Sequence, residues 1–62
     1  MTRKDYVLIA EGFKNAFSAS TELSYSERWG MVKAARVVAD TLAADNPRFD
    51  RERFLKACGV TP

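Results

Sequence analysis

The sequence predicts an all-α domain of three helices, with a long central helix and a short C-terminal one capped at both ends. Three observations predict it. Apolar residues recur at three- and four-residue spacing, no period-two run of β-branched residues occurs, and Pro47 stands between the last two periodic stretches. The length of 62 residues points to one domain over residues 1–62. At this size, apolar burial and the entropy of ordering nearly cancel, so near-ideal local structure or help from a partner is expected.

The first helix is predicted over 3–17. Thr2 stands at its cap, with Asp5 three residues on as a short-armed capping box at the positive end of the helix dipole. Tyr6, Ile9, Ala10, Phe13, Ala16 and Phe17 draw one apolar stripe along it. At Ser18-Ala19-Ser20-Thr21 the period is lost and side-chain hydrogen bonds compete with the backbone, which predicts the stop.

The second helix is predicted over 25–44. Ser24 and Glu27 form a capping box, no proline follows until Pro47, and alanines favour the helical state. Tyr25, Trp29, Met31, Val32, Ala35, Val38, Ala39, Leu42 and Ala43 cover about half its circumference, more than one packing partner requires. This helix is therefore expected to be touched on two sides. The lone tryptophan, Trp29, is expected in the core, with Arg36 along the same edge; an interface anchor is the other reading.

The third helix is predicted over 51–58. Asp50 is its N-cap, Phe49 and Phe54 occupy the two positions of a hydrophobic staple, and Gly59 stands where a left-handed residue closes a Schellman ending with Val60 against Leu55. Val60-Thr61-Pro62 reads as a tail.

Function is less legible. There is no histidine, and Cys58 is the one cysteine, so the commonest general base and any soft metal-ligand pair are missing. Cys58 shares a helical face with Phe54 and reads as a packed thiol. The three glycines form no phosphate-cradling pattern, and Asp40 and Asp45 fall outside the apolar stripe. No catalytic residue, metal or cofactor is expected, and the chain is expected not to be an enzyme. No apolar stretch is long enough to span a membrane or act as a signal peptide, and a lone cysteine fits a reducing cytoplasm.

The net charge is +2, and all of the excess falls after residue 45, where Arg48, Arg51, Arg53 and Lys56 outnumber Asp50 and Glu52. Arg51 and Arg53 in the first turn of a helix oppose its dipole by a few tenths to about 1 kcal/mol each. Local pairing with Asp50 and Glu52 is the expected offset. The functional reading is anion recognition, in which the last two helices resemble a helix-turn-helix with a very short recognition helix. Val7, Leu8 and Val37 fall away from the apolar stripes, and Leu8 together with the Met31–Val38 flank is a candidate contact surface.

The opening Thr2-Arg3-Lys4-Asp5-Tyr6 with Ile9-Ala10, and the closing Leu42-Ala43 to Asn46-Pro47-Arg48-Phe49-Asp50-Arg51-Glu52-Arg53-Phe54-Leu55-Lys56-Ala57-Cys58-Gly59, resemble a group of short proteins of bacteriophages and prophages, notably of actinobacteria. The resemblance covers both ends, roughly half the chain. It implies a phage origin and a bacterial cytoplasmic setting, and it carries no functional residue with it.

The expected function is that of a non-catalytic phage accessory protein binding a host or viral protein. The competing reading is a nucleic-acid-binding module using Arg48, Arg51, Arg53 and Lys56. A homodimer through the second helix is a third.

Overall fold

The computed structural model describes residues 2–19 and 23–60. Among these the fold is all-α, with no strand: α1 (Arg3–Ala19), α2 (Tyr25–Asp45) and α3 (Arg51–Ala57). The helices begin where the sequence places them. The first two run slightly further than expected and the third stops one residue short, with Cys58 as its C-cap. Ser20 and Thr21, part of the predicted stop of the first helix, and Thr61 and Pro62 of the tail lie outside the described residues.

Each helix starts on local hydrogen bonds. The Thr2 backbone N–H donates to Asp5 Oδ2 at 2.9 Å, and the Thr2 hydroxyl donates to the same oxygen at 3.2 Å. These bonds hold the Asp5 carboxyl below the ordinary aspartate range, the backbone bond contributing most. At α2 the box is complete: the Glu27 N–H donates to Ser24 Oγ at 3.1 Å and the Ser24 N–H to Glu27 Oε1 at 3.3 Å. At α3 the Arg53 N–H donates to Asp50 Oδ1 at 3.0 Å.

The end of α3 is a full Schellman motif. Val60 N–H donates to the Leu55 carbonyl at 2.9 Å and Gly59 N–H to the Lys56 carbonyl at 3.1 Å, with Gly59 at φ +86°. That turn folds Val60 back under the helix, where it is buried.

The core is small and asymmetric. Its buried residues are Ala10 of α1, Ala35 and Ala39 of α2, and Phe54, Leu55, Cys58 and Val60 of the C-terminal segment. Small residues on the long helices thus receive large ones from the short helix. Around this centre Tyr6, Ile9, Phe13, Phe17, Val32, Val38, Leu42 and Phe49 are partly buried. The shortest helix lies against both long ones, which touch each other less than either touches α3. An isolated helix of seven residues is unstable in water, so α3 exists because of this packing.

Two expectations about the apolar stripes need correction. Ala16 is exposed. Trp29 is not core: it is 44% exposed, with its ring edge-on to Tyr25 at 6.1 Å, and Tyr25 is 76% exposed. The reason is length. At 1.5 Å per residue α2 is about 31 Å long and α3 only about 10 Å, so the α2 stripe runs past its cover. The molecule accordingly measures 36 × 19 × 15 Å. Among the described residues no helix is long and apolar enough to cross a membrane.

Candidate functional site

The turn between α2 and α3 is pinned to the first helix. Asn46 Oδ1 accepts from the Arg48 N–H at 3.1 Å, and its carbonyl accepts from the Phe49 N–H at 2.9 Å, which fixes the Asn46–Phe49 reversal. The Asn46 side-chain amide also donates to Tyr6 Oη at 3.5 Å. Phe49 then packs edge-on against Tyr6, with ring centroids 4.9 Å apart, and tilted against Phe54 at 5.4 Å. The Phe49–Phe54 contact is the predicted staple. Tyr6 extends it into a three-ring cluster that joins α1 to α3.

Over this cluster lies an open groove of about 370 Å³. Tyr6, Val7 and Ala10 line it from α1, Phe54 and Ala57 from α3, and Phe49 from the turn. Three arginines stand on it: Arg3 from α1, Arg48 from the turn and Arg53 from α3. All three are exposed, and among the described residues none of their side chains is in an ion pair. Among the described residues Asp50 is the one acid on the groove, and it accepts the α3 capping bond.

The four basic residues singled out from the sequence therefore do not act as one patch. Arg48 and Arg53 meet in the groove. Arg51 turns the other way, and its Nε donates to Asp40 Oδ1 of α2 at 2.5 Å. This corrects the expectation of local pairing: the offset for Arg51 comes from α2, eleven residues back in the chain. Lys56 is exposed and lines neither this groove nor the second one described below. Leu8, 56% exposed, and Val37, 63% exposed, also line neither. Val7, next to Leu8, does line the groove and is 48% exposed.

Sequence reasoning missed Arg3 and Tyr6 as members of this site. The only trace of them was the position of Tyr6 on the apolar stripe, since Arg3 meets Arg48 only through the tertiary fold.

A second, shallower groove of about 300 Å³ runs between the first half of α2 and the chain end. Tyr25, Arg28, Trp29, Val32 and Arg36 line one side of it, and Gly59 and Val60 the other. Arg36 does lie along the edge occupied by Trp29. The Cys58 thiol faces neither groove; it is buried, and burial pushes its pKa up, so thiolate is scarce at neutral pH.

No family model, curated protein or solved structure matches the chain.

Proposed function

We propose that this chain is a non-catalytic binding protein that engages another protein through the groove between α1 and α3. One observation carries the reading: exposed Arg3, Arg48 and Arg53, without ion pairs among the described residues, stand on a groove floored by Tyr6, Val7 and Phe49. An apolar floor with a few convergent polar groups is the usual form of a binding cleft. Folding alone argues against one of those arginines. Arg53 is the third residue of α3, where a glutamate would favour the helix and an exposed arginine opposes its dipole.

Within this proposal, the resemblance of both ends to short phage proteins supports an accessory protein that binds a host or viral target in the bacterial cytoplasm. The absence of histidine and the packed thiol support a role without catalysis. Nucleic acid is the weaker reading, because Arg51 is engaged with Asp40 and does not join the other arginines.

Capture from lysate with the tagged chain tests the proposal. The control variant is Lys33→Glu, on an exposed position of α2 away from the groove. The test variant is Arg48→Glu with Arg53→Glu, which the helix start favours. A species captured by the natural chain and the control but lost with the test variant supports the reading. Equal capture by all three overturns it. A steep fall of DNA affinity between low and physiological salt would favour the nucleic-acid reading, through counterion release.

A further inference from the structure

We propose that the segment seated in the α1–α3 groove is a short acidic stretch of the partner protein, with an apolar anchor residue flanked by carboxylates. The inference rests on the protein-binding reading above and adds the chemistry of the occupant.

Three features of the groove select it. The first is charge: three exposed arginines face one carboxylate, and that carboxylate accepts the N–H of Arg53 at 3.0 Å. A ligand entering here meets net positive charge and meets it as guanidinium. Arginine presents a planar fork that pairs with a carboxylate in two parallel hydrogen bonds, which adds direction to attraction. The second is the floor. Val7 is half-exposed at its edge, so an apolar side chain set there would remove that surface from water. The third is size. The α1 wall from Arg3 to Ala10 rises only about 10–12 Å, enough for two helical turns or about four extended residues. The volume, about 370 Å³, is at the small end of ligand clefts. It holds one or two large side chains, not a long helix.

The aromatic rings argue for a peptide over a single-stranded nucleic acid. Tyr6, Phe49 and Phe54 contact one another edge-on or tilted, at 4.9 and 5.4 Å. They form a packed floor and not a row of flat platforms on which successive bases stack.

The full-length chain, labelled with ¹⁵N, would be titrated with synthetic peptides. One carries a Leu-Phe anchor between Asp and Glu residues, a second replaces every acid by Lys, and a third replaces the anchor by Ser. The acidic anchored peptide is expected to shift the amides of Val7, Arg48 and Arg53, with an affinity about tenfold or more above either control. The Arg48→Glu, Arg53→Glu variant should invert the preference and take the Lys peptide instead. Swapped preference is a readout that a damaged fold would not produce.

Equal binding of the acidic and Lys peptides, or binding only of a single-stranded oligonucleotide at the same amides, overturns the inference. So does no binding by any peptide. The capture experiment separates the two levels. A partner lost on groove substitution but engaged through a basic or neutral segment sinks this inference and leaves the groove reading standing. Capture indifferent to the groove sinks both.

Discussion

Residues 46–60 and the first half of α2 are comparable in length and apolar content, yet the fold treats them oppositely. The C-terminal segment buries Phe54, Leu55, Cys58 and Val60, while residues 25–37 of α2 leave Tyr25, Trp29 and Val37 exposed. Propensity does not explain the contrast, since the alanine-rich second helix is the better helix former. Position does. Arg51 reaches Asp40, while Val60 lies in the groove beside Val32 and Trp29, so α3 runs back along α2. It packs against both long helices. The long helix has the stronger helix propensity and the thinner cover. In a chain of this size, the element that contributes most to the core need not be the longest.

Truncation of a buried side chain sharpens this comparison most. Leu55→Ala removes a fully buried residue, and such changes destabilise by about 2–5 kcal/mol. Since a small domain has little stability to lose, loss of helical circular dichroism at room temperature is expected. Val37→Ala, on the exposed face of α2, should fall within about 0.5 kcal/mol of the natural chain in urea unfolding. Cys58 reports the same event independently. Its buried, protonated thiol should react slowly with a thiol reagent in the natural chain and fast in Leu55→Ala.

The glycines give the next largest effect, with opposite signs in the two regions. Gly59 holds φ +86°, which an alanine adopts only at a cost of about 1–2 kcal/mol, so Gly59→Ala should lower the midpoint of thermal unfolding. Gly30 is inside α2 with open space where a Cβ would stand. Gly30→Ala should therefore raise the midpoint, by the equivalent of about 0.5–1 kcal/mol.

Asp50→Ala removes the cap of α3 and is expected to cost about 1 kcal/mol. The destabilisation should appear in amide exchange throughout residues 51–60. Equal effects in α1 would mean that α3 and α1 open together.

The smallest effect is a matter of pH. The Thr2 bonds lower the pKa of Asp5 in the folded chain, so the unfolded chain binds its proton more readily. The stabilisation is complete above the ordinary aspartate value of 3.8 and is lost as pH falls through the lower folded value. Amide exchange in the first turn of α1 should rise over that acid range, and Asp5→Asn should remove the dependence. No change between the two chains would mean that the Thr2 bonds do not persist in solution.

How much of this was legible beforehand follows from the range of each interaction. The Ser24 and Asp50 caps, the Thr2–Asp5 bonds, the Phe49–Phe54 staple and the Gly59 turn join residues five or fewer apart, and each pairing could be placed from spacing alone. The candidate site was half legible. Of the four basic residues read together from the sequence, Arg48 and Arg53 line one groove while Arg51 and Lys56 do not, and beside Leu8 it is Val7 that lines it. A helical wheel locates a residue's direction on its own helix and says nothing about what stands opposite.

Local chemistry in the sequence thus determined the three helices, where they start, and the sharp ending of the last one, because hydrogen bonds between near neighbours need no knowledge of the rest of the chain. Tertiary structure alone decided that Arg51 pairs with Asp40, that Trp29 stays at the surface, and that Arg3 joins Arg48 and Arg53 over one apolar floor. Those outcomes depend on where a short helix comes to rest along two longer ones. That is settled by the fit of Phe54, Leu55, Cys58 and Val60 against three alanines, a match of shapes that spacing does not encode.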